Sequence, residues 1–176
     1  MKKLLLCSIA AIAVCLLLLS FNKRNAPELS QADRDFMTKA AIANMAEIQA
    51  GQLALGQGIS DTVKTFGQNM VTDHTTCLTE LKAIADSMQV TLPSQPDNEH
   101  AMVLQTLMQK KGHDFDRAYL MAQLKGHQQA VALFKTEWNS TTNTRLKAFT
   151  AKYLPIIQMH LQMVQSAGGM QGMKGM

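Results

Sequence analysis

From Ser30 onward the chain alternates apolar and polar positions with the period of helices rather than strands. Phe36, Ala40, Ala43, position 47, Ala50 and Ala54 recur at steps of four and three, as do Val63, Phe66, Met70, position 74, Cys77, Leu81, Ile84 and Met88. Two further series follow: Leu120, Leu124, position 127, Val131, Phe134 and Trp138, then Leu146, Phe149, Tyr153, Ile156, position 160 and Met163. Residues three or four apart share one helical face, so each series is the inward stripe of an amphipathic helix. Four such stripes bury each other best as an antiparallel four-helix bundle around one shared core.

The breaks between the stripes set the element boundaries. Ser30 with Asp33 forms a helix-start pattern, and the first helix is predicted from about residue 31 to 57. Gly56 and Gly58 end it, and Ser60 or Asp61 caps a second helix reaching about Gln89. Pro93 and Pro96 interrupt the pattern before a short helix from about Asn98 to Lys110. A third long helix follows from about His113 to Trp138. The polar turn Asn139 to Thr142 then leads to a fourth, ending near Gly168, with Pro155 inside it as a predicted kink. The connection between the second and third long helices is long enough either to cross the bundle or to return at one end.

The positions left open in the stripes are Glu47, His74, His127 and His160, one ionisable residue per long helix. Buried unpaired, such groups cost several kcal/mol, so they must pair, hold water or bind a ligand. At about 1.5 Å per residue, Glu47 and His74 are expected at one level and His127 mid-bundle. His160 is expected to be offset by one to two turns, about 5 to 11 Å, which favours a three-residue cluster over a four-ligand shell. The more ordinary reading is a satisfied hydrogen-bond network in which Glu47 keeps a histidine charged. The functional reading is a single transition-metal ion (copper, zinc or iron), since imidazoles with one carboxylate suit all three. A dinuclear oxidase centre is disfavoured, because Val71, Leu124 and Ile157 stand where its Glu-x-x-His pairs would need carboxylates.

Residues 1–26 change the picture of charge and compartment. Lys2 and Lys3 precede an apolar or small run from Leu4 to Leu19, which Asn22, Lys23 and Arg24 end. This is the pattern of a secretory signal peptide, with a retained anchor and a lipid-modified Cys15 as the alternatives. The expected location is therefore extracytoplasmic, in the periplasm or cell envelope, with membrane contact only through this segment. It holds four of the 17 Lys and Arg residues and none of the 13 acidic ones, so the remainder is electrically balanced. A basic surface for nucleic acid is excluded on that ground. Cys77 is the one cysteine beyond the segment, so no intramolecular disulfide is expected there.

The last nine residues, 168–176, are glycine- and methionine-rich, and are expected to be a flexible tail rather than helix. Met170, Met173 and Met176 recur at steps of three, and soft thioethers favour copper(I). A low-complexity terminus without a ligand is the plainer reading. His100 and His113, in or beside the inter-helix connection, read as surface residues.

Residues 33 to 165 resemble the domain of unknown function family 4142, exported bacterial proteins of ferritin-like four-helix architecture. The resemblance rests on Asp33 with Phe36, Glu47, Val63-Lys64 with Phe66, Asp73-His74, Glu80-Leu81, Phe115-Asp116 with Tyr119, His127, Leu133-Phe134, and Leu154-Pro155 with His160. It implies an all-α, ferritin-like bundle over residues 27–167 and export, and it puts Asp73 and Asp116 in the family pattern without assigning them a role. It implies no activity. No catalytic nucleophile setting or phosphate loop is present, so a binding module of the envelope leads. A protein-interaction module whose His and Glu residues only tune the core, and a small metal-dependent oxidoreductase, are the alternatives; a protein partner and the oligomeric state are left open.

Overall fold

A computed structural model describes residues 29–173, with side chains through Gly168. Its five helices are α1 (Gln31–Gln57), α2 (Asp61–Ser87), α3 (Asn98–Met108), α4 (Gly112–Ser140) and α5 (Thr144–Met173). The start of α1 is the predicted capping box: the Ser30 hydroxyl accepts from the Asp33 N–H, and the Asp33 carboxylate accepts from the Ser30 N–H. Ser60 caps α2 through the Val63 N–H. Asn143 caps α5, its Oδ1 accepting from the N–H groups of Arg145 and Leu146.

Cross-links at the two ends fix the topology. Asp116, at the start of α4, accepts hydrogen bonds from Ile59 and Ser60 in the α1–α2 turn. Thr141, at the end of α4, donates to Asp33 at the start of α1. α1 and α5 therefore run one way and α2 and α4 the other, and the segment from Met88 to Lys111, with α3 in it, crosses the length of the bundle. One long crossover between the second and third long helices is the connectivity of ferritin-like bundles. Around the bundle the order is α1, α2, α5, α4, so every neighbour is antiparallel; α1/α2 is the closest pair and α2/α5 the loosest. The closeness of α1 and α2 depends on two glycines, since a Cβ on Gly51 would stand 2.7 Å from the Gly67 carbonyl oxygen.

The apolar core falls into two parts. Towards the Ser30 end, Phe36, Leu81, Phe134, Leu146, Phe149 and Tyr153 pack together; towards the Gly58 end, Phe66, Met70, Leu104, Leu107, Phe115, Tyr119 and Val164 do. Each such side chain contributes roughly 1.5–3 kcal/mol on burial. The stripes differ from the sequence reading at several places: Asn44 is buried beside a half-buried Ala43 and Ala85 beside a half-buried Ile84, and the same occurs in the last two helices. Trp138 is exposed and Glu137 is buried in its stead, Gln123 is buried beside a half-buried Leu124, and α5 turns Ile157 and Val164 inward rather than Ile156 and Met163. In each case the four-three alternation slips by one residue, which moves a neighbour about 100° around the helix.

Pro155 lies inside α5, where the sequence placed it. One expectation about α5 changes: it continues through Gly168 and Gly169 to Met173, where a flexible tail was expected. Each glycine costs roughly 1 kcal/mol relative to alanine, which weakens a helix but does not end one that is already propagating. The side chains of Met170 and Met173, and all of Met176, lie outside the described residues, as does the whole of residues 1–26. None of the described helices is long and apolar enough to cross a membrane.

Candidate metal centre

Between the two apolar clusters lies a thin polar layer. On α2, His74 follows Met70 of one cluster and precedes Cys77 of the other; His127 on α4 and His160 on α5 occupy the same place in their stripes. The three imidazoles are 6 %, 1 % and 0 % exposed in that order. Their ring centroids are 5.7 Å apart for His74–His127 and 5.5 Å for the two pairs with His160. One ring nitrogen from each lies within 4.8 Å of the others.

His160 is therefore level with the other two, not one or two turns away. The register is set at the end where α4 and α5 meet α1, and α5 overshoots the bundle at its other end. Measured from the shared end, His160 lies 16 residues along α5 and Glu47 16 along α1, while His74 and His127 each stand 13 residues before the end of their helices. The offset expected for His160 is removed by the connection that crosses the bundle, which sets α5 parallel to α1 from the shared end.

Hydrogen bonds assign the two nitrogens of each ring to different tasks. His74 Nδ1 is 2.9 Å from Asn44 Oδ1, and the Asn44 amide is oriented by donating its Nδ2–H to the Ala40 carbonyl at 2.7 Å. His127 Nδ1 is 2.9 Å from the Gln123 carbonyl oxygen, and His160 Nε2 is 2.9 Å from Asp73 Oδ2. All three partners are acceptors, so these outward nitrogens carry the protons. The remaining nitrogens, His74 Nε2, His127 Nε2 and His160 Nδ1, are buried and have no hydrogen-bond partner. They are left as lone pairs.

Electrostatics favours the same protonation state. Burial, then the nearby His127 and His160, holds the His74 imidazole well below its usual pKa. His160 is also lowered, chiefly by burial, against the opposing pull of Asp73. Desolvation disfavours an imidazolium, and neutral imidazole is the form that binds metals.

Glu47 stands aside from this cluster. Its Oε2 accepts from Gln123 Nε2 at 2.6 Å, and its Oε1 is 3.9 Å from His127 Nδ1, the nitrogen turned away from the other histidines. Gly126 makes room for it, since a Cβ there would meet Oε1 at 2.9 Å. The carboxylate that does touch a histidine directly is Asp73, which the family resemblance included without a role. Asn44 and Gln123 were not singled out at all. Gln123, four residues before His127 on one helical face, and Asn44, four after Ala40, were legible only as amides on otherwise apolar stripes. Asp116 is structural: both its oxygens tie the α1–α2 turn to α4. His113 is exposed as expected, and the half-buried His100 is engaged by Asp97 at the start of α3.

The donor set fits a metal ion. A tetrahedral ion with bonds of about 2.0 Å to nitrogen requires donors about 3.3 Å apart, so the rings would draw together by no more than about 1.5 Å. Outward N–H groups held by acceptors are how metal-binding histidines have tautomer and orientation fixed.

No curated protein matches the sequence. Among solved structures, the crystal structure of a DUF305 fragment from Deinococcus radiodurans is similar, with a TM-score of 0.72 at 12 % identity, over 81 % of this chain and 99 % of that one. At that identity the likeness shows the fold alone. The sequence model of the domain of unknown function DUF4142 matches residues 19–167, and the chain belongs to that family.

Proposed function

We propose that the protein is an exported binding module of the cell envelope that holds one transition-metal ion on His74, His127 and His160. The observation that carries this reading is the set of three buried, unpaired ring nitrogens, each with its opposite nitrogen held by an acceptor. A satisfied network of the kind first considered would leave no such nitrogens; leaving three costs roughly 1–3 kcal/mol apiece unless a ligand takes them. Three neutral nitrogens suit zinc, copper and iron(II), and leave the ion one position for water or a fourth ligand.

Binding rather than turnover is favoured because all three imidazoles are buried, which suits an ion better than an organic substrate. Export is supported by Lys2, Lys3 and the Leu4 to Leu19 run. Met170, Met173 and Met176 are a separate, softer candidate that would take copper(I).

Elemental analysis of the purified domain, residues 27–176, after equilibration with copper, zinc and iron and exhaustive dialysis tests the reading. One equivalent retained by the wild type and lost in His74→Leu supports the bundle site. Retention that depends only on residues 168–176 moves the site to the tail. No retained metal makes the histidine layer a purely structural feature.

A further inference from the structure

The three outward nitrogens do not end alike. His74 and His127 point theirs at groups of Asn44 and Gln123, which are 3 % and 2 % exposed. His160, itself buried, points its own at Asp73, whose side chain is 37 % exposed. His160 is thus the one ring of the three that reaches from the closed layer to a group in contact with solvent.

Three further features coincide there. The Asp73–His160 pair spans α2 and α5, the loosest of the four seams between neighbouring long helices. Towards the Ser30 end that seam is fastened by Glu80, which accepts from Lys152 and, at 2.8 Å, from the Tyr153 hydroxyl. Just before His160, Pro155 has no N–H to give the Ala151 carbonyl, so α5 lacks a backbone hydrogen bond within two turns of the histidine. The opposite seam, between α1 and α4, is closed by the Glu47–Gln123 hydrogen bond, with Glu47 seated against Gly126.

Resting on the metal-binding reading above, we infer that Asp73 is the capture group for the incoming cation, and that the α2/α5 seam is its passage to the three-histidine layer. A half-exposed carboxylate attracts a divalent cation, and the hydrogen bond between Asp73 Oδ2 and His160 Nε2 holds that carboxylate beside the histidine layer. The ion then passes between α2 and α5 to the lone pair of His160 Nδ1, while His160 Nε2 keeps its proton and its hydrogen bond to Asp73. No other histidine of the layer has a charged, solvent-reaching partner at hydrogen-bond distance.

The test is the rate of loading of the metal-free protein by cobalt(II), followed by its visible absorption in a stopped-flow instrument, for wild type, Asp73→Asn and Glu47→Gln. The expected result is uptake at least tenfold slower in Asp73→Asn at low salt, loss of the wild-type salt dependence, and an unchanged spectrum once loaded. Glu47→Gln, on the closed seam, loads within twofold of wild type. Asp73→Asn loading at the wild-type rate overturns the passage and leaves the metal site standing, as does weakened affinity with an unchanged rate, which would make Asp73 a positioning residue only. Slowing in Glu47→Gln alone places the entrance in the α1/α4 seam and equally overturns the proposal. Absence of bound cobalt in the wild type overturns the site and its entrance together.

Discussion

The bundle buries polar groups both at its ends and at its middle, and the two regions treat them differently. At the ends, acidic side chains meet backbone amides and hydroxyls: Asp116 takes the N–H groups of Ile59 and Ser60, and Asp33 takes the Ser30 N–H and the Thr141 hydroxyl. These carboxylates are used up in closing turns and capping helices, where the unpaired N–H groups of a helix start are waiting for them. At the middle no free backbone N–H exists, because every turn of helix is already bonded internally. The histidines there find acceptors for one nitrogen each, and the other nitrogens have no hydrogen-bond partner. A buried polar group whose partners are all present stabilises a fold; one whose partner is missing points to a ligand.

Supplying the missing partner should give the largest effect. With a metal at a thousandfold excess over its Kd, the wild type should gain about 4 kcal/mol of stability. His74→Leu should lose that gain completely while its metal-free form stays as stable as wild type or more so, since an apolar side chain removes an unsatisfied nitrogen. Thermal unfolding with and without zinc checks both halves; a His74→Leu protein that is several kcal/mol weaker without metal would mean that the layer is structural after all.

The end of the bundle should respond in the opposite way. Asp116→Ala leaves two amides without acceptors and should cost about 3 kcal/mol in urea unfolding, equally with and without metal. A metal-dependent loss there would erase the distinction between the two regions.

Outside the middle layer, Glu137 and the Tyr119 hydroxyl also have a buried atom without a partner, and Glu137 offers a finer test. It is buried beside Asp33, its Oε1 has no hydrogen-bond partner, and burial together with Asp33 pushes its pKa from 4.5 up to about 8. A raised acid favours the protonated native form, so its contribution to stability is complete below pH 4.5 and is lost progressively as pH rises to about 8. Asp33, lowered by its hydrogen bonds to Thr141 and Ser30 against the desolvation of burial, works the other way and weakens the fold as it protonates below 3.8. Glu137→Gln should therefore match wild type near pH 5 and melt about 3 °C or more above it at pH 8, by calorimetry at both values. An equal offset at the two pH values would mean that Glu137 is ionised throughout.

The smallest effect is expected at Gly126→Ala. The new Cβ displaces the Glu47 carboxylate, a flexible end, while alanine gains roughly 1 kcal/mol of helix propensity. Net stability should change by less than about 1 kcal/mol, and retained metal should not change, because Glu47 lies outside the three-nitrogen set. Lost metal binding in this variant would bring Glu47 back as a ligand.

The helical periodicity, the capping box at Ser30, the breaks at Gly58 and Pro93, and the one polar position in each stripe were all legible in the chain, because they depend on neighbours three or four residues away. So was the choice of His74, His127 and His160. The partners of those histidines were not. Asp73 lies about 100° from His74 on α2, yet it serves His160 on α5, and Asn44 serves His74 from α1. Periodicity says which way a side chain points on its own helix and nothing about what the next helix brings opposite. The level of His160 was hidden for the same reason. It depends on where α5 is fastened, and Asn143 and Thr141 fasten it at the end shared with Asp33, 108 residues from Thr141 in sequence. The sequence by itself determined the helices, most of their inward positions and the three histidines of the middle layer. Only the tertiary structure decided that the connection crosses the bundle, that three histidines and not Glu47 share a level, and which nitrogen of each is free, because these follow from the register of one helix against another.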